Sequence, residues 1–245
     1  MRVLLLAGTG EAMQLAQALV DQGHQVLASL AGATRTPRPL PCETRVGGFG
    51  GADGFLQVLS EYEPDLVLDA THPFAHRISN RTIKICGAEN VPYLQLLRPK
   101  WKADVSRQIF EVGNASAARE MTEEGARVFL ATGRQTLQDF TNFQDCTLIC
   151  RQIDPPDAPF PFPNGKYLIG RPPFSVQDEI ALFKEEKIDI LIVKNAGGAA
   201  SYSKIEAAQE LGIRTLMLAR PEMSEAPRVE SVEEALEWVD GHAHH

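Results

Sequence analysis

Short apolar runs alternate with amphipathic helical patterns along almost the whole chain. The first run, residues 3–7, ends in a glycine turn, and apolar positions at helical spacing follow over residues 11–21. The same pairing recurs, so each run predicts a buried strand and each pattern a helix that crosses to the next strand. This alternation predicts an α/β fold with two parallel-sheet domains, Rossmann-like or flavodoxin-like, and an inter-domain cleft.

Predicted strands and helices alternate in both halves of the chain. Predicted strands cover residues 3–7, 25–30, 65–70, 93–97, 128–131, 146–152, 188–193 and 215–219. Predicted helices cover residues 11–21, 54–61, 75–89, 115–124, 176–186, 204–211 and 232–240. Residues 31–53 and 154–164 are rich in glycine or proline and are predicted loops.

The break falls at Arg98-Pro99-Lys100-Trp101, which interrupts the alternation of strands and helices. It predicts a first domain over residues 1–99 and a second over residues 100–245. The sequence leaves open whether the final helix packs back onto the first domain.

Charge and apolar content exclude some partners. The chain has 245 residues and a net charge of −8, so its average field repels polyanions and we expect no nucleic acid partner. Its apolar runs are far shorter than a membrane span, so we expect no membrane partner and a cytoplasmic location. The four cysteines match no zinc or redox spacing, which predicts free thiols and no metal.

A glycine turn, Gly8-Thr9-Gly10-Glu11-Ala12, joins the first predicted strand to the first predicted helix. It presents backbone N–H groups at a helix N-terminus, where the helix dipole favours an anion. The full dinucleotide fingerprint is not complete, because Met13 stands at its third glycine. The turn alone is equally consistent with a phosphate site and with an ordinary strand-to-helix connection.

The second predicted strand carries Ser29 near its end, where NAD-binding proteins usually have an acidic residue that binds the ribose hydroxyls. Arg35 and Arg38 follow in the predicted loop. These features favour a 2′-phosphate and hence NADP(H), with Arg35, nearer to the strand, as the predicted ligand. The alternative is that both arginines are solvated loop residues.

The third predicted strand ends in Asp69-Ala70-Thr71-His72-Pro73-Phe74-Ala75, at the edge where open α/β sheets bind ligands. Thr71, His72, Pro73 and Phe74 are predicted cofactor-binding residues, since Pro73 stiffens the turn and Phe74 offers an apolar face. Such a face suits a nicotinamide or a flat macrocycle. A single histidine is more often structural, yet its position makes His72 a catalytic candidate.

Two turns in the second half repeat this arrangement of strand, glycine turn and helix. They are Thr132-Gly133-Arg134 and Lys194-Asn195-Ala196-Gly197-Gly198. A glycine pair beside a lysine can close around a carboxylate or a phosphate. Tyr202 and Lys204 follow closely, which favours a binding site over an exposed lysine in a glycine-rich turn.

These motifs, in this order, resemble the precorrin-6A reductase family over almost the whole chain, and the segment 69–75 is the most specific. The sequence departs from the family at Ala7, Pro172 and Ala196, where glycine, glycine and serine are usual. The further matching residues are Leu15-Ala16, Ile78-Ser79, Leu97-Arg98-Pro99, Trp101, Pro173-Phe174, Lys204, Ala207-Ala208, Leu211-Gly212-Ile213 and Arg220-Pro221.

The resemblance implies a reductase that uses NADPH to reduce one C=C bond of precorrin-6A, a macrocycle with many carboxylates, to dihydroprecorrin-6. A proton must also reach the adjacent carbon, and His72, Lys194 and Tyr202 are the candidate donors. Neighbouring enzymes of the pathway are further candidate partners. The predicted substrate-binding residues are Arg98, Thr132, Gly133, Arg134, Phe174, Lys194, Lys204 and Arg220.

Two other functions stay open at this point. A non-catalytic tetrapyrrole- or nucleotide-binding protein is an alternative because no residue is a decisive proton donor. A sugar-nucleotide or short-chain-type enzyme would suit the first domain alone. Tyr202 and Lys204 lack the Tyr-x-x-x-Lys helical spacing of that class, so it ranks last.

Overall fold

The computed structural model describes residues 1–32, 38–199 and 201–243, which divide into two compact units. Unit 1 contains Met1–Pro99 together with the segment from Pro221 onward, and unit 2 spans Lys100–Arg220. Each unit is built on a six-stranded sheet whose paired strands are all parallel. The predicted fold class is therefore confirmed.

Unit 1 alternates strands and helices and receives its last strand and helix from the C-terminal segment. Its strand order is β12-β5-β4-β1-β2-β3. The chain builds the sheet from β1 outward to β3, and then from β4 outward to the opposite edge. The strand order therefore reverses between β1 and β4, which is the switch point of the sheet. Its elements are β1 (Arg2–Leu6), α1 (Gly10–Asp21), β2 (Gln25–Leu30), β3 (Glu43–Val46), α2 (Ala52–Tyr62), β4 (Leu66–Asp69), α3 (His76–Glu89), β5 (Tyr93–Leu96), β12 (Arg228–Val229) and α7 (Val232–Ala243).

The central strand β1 shows how the apolar run becomes a two-sided core. Val3 and Leu5 join the cluster that also contains residues of α1 and α7, whereas Leu4 and Leu6 join the cluster that contains residues of α2 and α3. Successive side chains of a strand point to opposite faces, so an uninterrupted apolar run is needed when both faces are covered.

The C-terminal segment corrects the predicted domain limits, because the second unit ends at Arg220 and not at residue 245. On α7, Ala235 and Val239 are fully buried in the same cluster as the core of α1, and β12 pairs with β5. A spacing of four residues places both side chains on one face of the helix. Burial of this face in unit 1 is why the final helix belongs there.

Unit 2 repeats the order of unit 1 for five of its six strands, whereas its remaining edge strand is the first of the unit in the chain and not the last. The order is β6-β11-β10-β7-β8-β9, and its switch point lies between β7 and β10. Its elements are β6 (Ile109–Val112), α4 (Ala115–Glu120), β7 (Arg127–Ala131), β8 (Thr147–Gln152), β9 (Gly165–Ile169), α5 (Val176–Glu185), β10 (Ile190–Lys194), α6 (Ser203–Glu210) and β11 (Arg214–Leu218).

The predicted strands and helices all occur in these units, with ends shifted by a few residues. Four strands were not predicted, namely β3, β6, β9 and β12, and residues 31–53 are therefore not a loop throughout. Cys42, Cys86, Cys146 and Cys150 are free thiols. Within the described ranges, no helix combines the length and apolar character needed to cross a membrane.

Candidate functional site

Thr9 fixes the turn after β1. Its Oγ1 accepts a hydrogen bond from the Ala12 N–H at 3.1 Å and donates one to the Ala70 carbonyl at 2.8 Å, so it caps α1 and ties the turn to the end of β4. Gly8 has φ of +137°, a conformation that L side chains rarely adopt. The N-terminus of α1 is thereby held at the switch point of unit 1, where its remaining N–H groups can meet an anion.

Asp69 fixes the neighbouring turn after β4. Its Oδ1 accepts hydrogen bonds from the Thr71 N–H at 3.0 Å and the Thr71 hydroxyl at 2.7 Å, and its Oδ2 accepts one from the Tyr93 hydroxyl at 2.8 Å. Asp69 is fully buried. Burial, reinforced by the carboxylate of Asp69, raises the pKa of Tyr93. Asp69 and Thr71 therefore position the turn that carries His72.

The environment of His72 determines where its ring carries a proton. The Phe74 N–H donates to Nδ1 of His72 at 3.2 Å, so the neutral ring carries its proton on Nε2. The rings of His72 and Phe74 lie 5.8 Å apart, and Pro73 between them is buried. The predicted cofactor-binding residues of this segment thus form one turn, with Nε2 of His72 as its hydrogen-bond donor.

Glu11, in the first turn of α1, has a cationic partner. Its Oε2 lies 2.7 Å from Nη1 of Arg98, and both side chains are largely shielded from solvent. The pairing offsets a negative charge beside the proposed anion position. Arg98, predicted to contact the substrate, is thus engaged with a carboxylate of unit 1.

A cavity of about 160 Å³ opens at the carboxyl ends of β1 to β4 in unit 1. Ser29, a predicted cofactor-binding residue, lines it and accepts a hydrogen bond from Nη1 of Arg45 at 2.8 Å. Arg35, the predicted 2′-phosphate ligand, lies outside the described residues. The remaining lining includes Gly47, Gly48, Phe49, Gly50, Ile78 and Arg81.

In unit 2, the Asn195 side chain connects the turn after β10 to Trp101, the second residue of the unit. Its Oδ1 accepts a hydrogen bond from the Trp101 N–H at 2.9 Å, and its Nδ2 donates to the Trp101 carbonyl at 2.9 Å and to Glu111 at 3.0 Å. The Trp101 indole donates to the Gly198 carbonyl at 2.7 Å and lies 5.6 Å from the Tyr202 ring. Tyr202 is therefore packed against an aromatic neighbour.

Burial lowers the pKa of two lysines near the carboxyl end of β10. Burial is the main cause that lowers the pKa of Lys194, at the end of β10. For Lys204, burial and then the positive charge of Arg151 lower the pKa to about 8, against the opposing effect of Glu179. Nζ of Lys204 donates to the Ser201 carbonyl at 2.6 Å. Lys204 therefore has a structural contact, whereas Lys194 is the last residue of β10.

The predicted arginines of unit 2 also have partners. Nε and Nη2 of Arg220 donate to the carbonyls of Asn195 and Ala196 at 2.9 and 3.1 Å, which supports the turn after β10. Nη1 of Arg134 lies 3.6 Å from a carboxylate oxygen of Asp157, and that arginine is substantially exposed. Of the two, Arg134 has the surface position that a ligand requires.

The carboxyl ends of β7 and β8 carry buried polar groups. Among the described residues, Oγ1 of Thr132 and both amide atoms of Gln152 have no hydrogen-bond partner, although the side chains are buried. Next to Gln152, Arg151 makes two hydrogen bonds to the buried Glu179, at 2.6 and 2.8 Å, and lies 4.2 Å from the ring of Phe174. Phe174 thus packs on an ion pair, and Thr132 and Gln152 have capacity for further hydrogen bonds.

Among the residues that the structure describes, the predicted site residues divide into one set in unit 1 and another in unit 2. The sequence missed Arg45, Phe49, Arg81 and Gln152. The segment Gly47-Gly48-Phe49-Gly50-Gly51 was the available signal, because an aromatic residue between glycine pairs is unusual for a plain loop. Within the described ranges, no three His, Cys, Asp or Glu side chains cluster as metal ligands do.

The strand order and the capped glycine turn define a Rossmann-like α/β protein. The precorrin-6x reductase CbiJ/CobK family matches residues 2–240. A precorrin-6A reductase of Rhodococcus erythropolis is 40% identical over 97% of each chain, and one of Mycobacterium tuberculosis is 41% identical over 98% of each. A solved structure of CobK precorrin-6A reductase covers 99% of this chain and 97% of its own, at 36% identity and a TM-score of 0.94.

The chain therefore belongs to the precorrin-6x reductase family, and it is an oxidoreductase of cobalamin biosynthesis. The resemblance inferred from the sequence and the enzyme class are confirmed. The alternative of a non-catalytic binding protein is not favoured by these similarities.

Proposed function

We propose that this enzyme reduces one C=C bond of precorrin-6A with NADPH and produces dihydroprecorrin-6. The observation that carries the proposal is the turn after β1, where Thr9 caps α1 and is bonded to the end of β4. The relatives reported above are named precorrin-6A reductases, which supports the choice of substrate. When bound, the reduced nicotinamide supplies a hydride, and the chain supplies orientation and electrostatics.

The residues at the turn fit a pyrophosphate. A Cβ atom added at Gly8 or Gly10 would meet no atom within 4 Å, so the backbone there faces open space that a phosphate can approach. Gly8, Thr9, Gly10, Glu11 and Ala12 would hold it through backbone N–H groups and the dipole of α1. The pairing of Glu11 with Arg98 reduces repulsion between the Glu11 carboxylate and the phosphate.

NADPH is the proposed cofactor because β2 carries Ser29 near its carboxyl end, where a carboxylate would repel a 2′-phosphate. Arg35 stays the ligand that the sequence predicts for this phosphate. The Arg35→Ala variant is expected to lose much more affinity for NADPH than for NADH. Equal losses for the two cofactors would remove Arg35 from this role.

His72, Lys194 and Tyr202 are the proposed proton donors to the carbon adjacent to the reduced position. The Phe74 N–H at Nδ1 leaves Nε2 as the nitrogen of His72 that can face a substrate, and donation from it would require the protonated ring. The lowered pKa of Lys194 makes its ammonium a stronger acid than an exposed lysine. Loss of kcat with an unchanged KM in an alanine variant would identify the donor, and three unaffected rates would exclude all three residues.

Unit 2 supplies the proposed contacts to the carboxylates of the substrate. Lys194 and Arg134 are the cationic candidates at its carboxyl edge, and the hydroxyl of Thr132 and the backbone of Gly133 lie beside them. Phe174, Lys204 and Arg220 already make the contacts described above, so they contribute by holding this edge in shape.

Steady-state kinetics with the purified enzyme test the proposal. We expect consumption of NADPH that depends on precorrin-6A and slower consumption of NADH at equal concentration. The absence of consumption with both cofactors would refute the proposed reaction.

We also propose that the enzyme acts in the cytoplasm, since its four free cysteines suit a reducing compartment. Neighbouring enzymes of the pathway stay candidate partners.

A further inference from the structure

A cavity of about 420 Å³ lies in unit 2, beside the edge strand β6. Its walls come from two parts of the chain, namely the segment of residues 101–109 that leads into β6 and the helix α6. Tyr202 and Gln209 line it from the start and the last turn of α6, and their spacing of seven residues places them on one face, about 10 Å apart along the axis. A concavity of this size is typical of sites for small organic molecules.

Two aromatic rings form one wall of this cavity. The rings of Trp101 and Tyr202 have centroids 5.6 Å apart and planes at 58°. The Trp101 indole N–H donates to the Gly198 carbonyl at 2.7 Å, and the Asn195 side chain bonds to the backbone N–H and carbonyl of Trp101. Ile109, which is buried, adds an aliphatic surface. Because the indole is already fixed, a flat ring that packs on it orders little of the chain.

One hydrogen-bond donor at this cavity is unused. Nε2 of Gln209 is buried and makes no hydrogen bond to any of the described residues. A primary amide carries two N–H groups, and leaving them unbonded away from water costs free energy. A ligand group that accepts a hydrogen bond is therefore expected next to the last turn of α6.

The rim of the cavity carries an excess of positive charge. Lys102 and Arg107 line it and are both exposed, whereas Asp104 is its one lining carboxylate. Hydrogen bonds from Ser106 are the main cause that lowers the pKa of Asp104, and Nε of Arg107 lies 3.5 Å from Oδ2 of Asp104. Asp104 thus offsets the charge of Arg107. Lys102 makes no ion pair within the described part of the chain, so its charge is left for an anionic ligand.

We propose that this cavity is a ligand site for a small compound that joins a planar ring to one anionic group, of the aromatic carboxylate class. The ring packs on Trp101 and Tyr202, and the anionic group accepts a hydrogen bond from Nε2 of Gln209 and pairs with Lys102.

The aromatic wall connects the cavity to the turn after β10. Asn195 and Gly198 hold Trp101, and Lys194, a proposed substrate contact, immediately precedes that turn. A ligand that packs on Trp101 therefore orders this turn, and the effect of that order on the substrate rests on the proposed function. Neither Lys194 nor Arg134 lines the cavity, so the ligand and the proposed carboxylate contacts do not compete.

NMR titration of the ¹⁵N-labelled full chain with indole-3-acetate tests the proposal without catalysis. We expect shifted amide signals in residues 101–109 and in α6, with a Kd of about 0.1–1 mM. Indole-3-acetamide lacks the charge and cyclohexylacetate lacks the aromatic ring. Each is expected to bind about three- to tenfold more weakly.

Two substitutions separate the donor from the cation. Gln209→Leu is expected to weaken indole-3-acetate about five- to tenfold without lowering the melting temperature, because it removes an unpartnered buried amide. Lys102→Met is expected to weaken indole-3-acetate about three- to fivefold and to leave indole-3-acetamide within about twofold. Lys184→Met, an exposed change on α5, is the matched control and is expected to keep both affinities. Tyr202 is left unchanged because it is a candidate proton donor.

Hydrogen exchange tests the connection to the turn after β10. Saturation with indole-3-acetate is expected to slow amide exchange in residues 195–198 and, by reciprocal coupling, to lower the KM for precorrin-6A about two- to fivefold. Unchanged exchange in those residues would contradict the connection.

Two results would overturn the ligand site itself. One is an unsubstituted enzyme whose signals in residues 101–109 and α6 do not shift at about 10 mM indole-3-acetate. The other is an affinity for indole-3-acetate that is the same in Gln209→Leu and Lys102→Met as in the unsubstituted enzyme. Failure of the proposed reaction is a different result, since it would appear as an absence of precorrin-6A reduction in an enzyme that still binds indole-3-acetate at this cavity.

Discussion

Thr9 performs two tasks through one hydroxyl group, since it caps α1 and bonds to the end of β4. The Thr9→Val variant keeps the shape and loses both bonds, so we expect a loss of about 1–2 kcal/mol in the free energy of unfolding. NADPH affinity is expected to fall severalfold because the turn is less ordered. Urea unfolding and cofactor titration measure the two effects. Thr9→Ser retains the hydroxyl and is expected to behave nearly as the unsubstituted enzyme.

Lys204 makes the free energy of unfolding depend on pH, and the sign of that dependence follows from the pKa of Lys204. Its pKa is about 8 in the folded chain against an ordinary value of 10.5, so the unfolded chain binds more protons between these two values. The free energy of unfolding therefore rises with pH in that window, and the penalty for charging Lys204 is fully present below pH 8. We expect Lys204→Met to show a flatter dependence between about pH 8 and 9.5 in denaturant titrations. Parallel curves for the two proteins would contradict this.

Contacts between residues that are distant in the sequence could not be predicted from the sequence alone. His72 and the glycine turn lie within recognisable motifs, so the local pattern was enough to predict them as site residues. Arg45 and Arg81 come from a strand and a helix on either side of Phe49, and their proximity depends on the packing of α3 and the β3 loop. Arg98 was predicted as a substrate ligand, and only the structure shows its pairing with Glu11.

The strands that the sequence missed share one property. They are β3, β6, β9 and β12, the outermost strands of the two sheets. A central parallel strand is covered on both faces and reads as an apolar run, which is why β1 and β10 were predicted. An edge strand is partly exposed and carries polar residues, as in Glu43–Val46, so it lacks this signal.

The α7 helix provides an element-scale prediction. Val239→Ala removes two buried methyl groups from the unit 1 core and is expected to lower the free energy of unfolding by about 2 kcal/mol. Glu237→Ala on the exposed side is expected to change it by less than about 0.5 kcal/mol. Hydrogen exchange resolved by residue locates the effect. Faster exchange in β1 and β5 is expected, whereas an effect confined to β7 and β10 would contradict the assignment of α7 to unit 1.

On the scale of the whole molecule, the net charge of −8 is compatible with the proposed anionic cofactor and substrate, because cations are concentrated locally. Arg45 and Arg81 lie at the cavity of unit 1, and Lys194 and Arg134 lie at the carboxyl edge of unit 2. The sequence alone predicted two α/β domains, and arginines and lysines among the substrate-binding residues. The expected cleft between the domains stays a prediction.

The central claim is that the chain transfers a hydride from NADPH to precorrin-6A. The most direct measurement is mass spectrometry of the macrocycle after reaction with NADPH in which both hydrogens on C4 of the nicotinamide are deuterium. We expect a reduced macrocycle with one carbon-bound deuterium, formed only in the presence of the enzyme. A macrocycle that returns unreduced, or reduced without deuterium, would contradict the account.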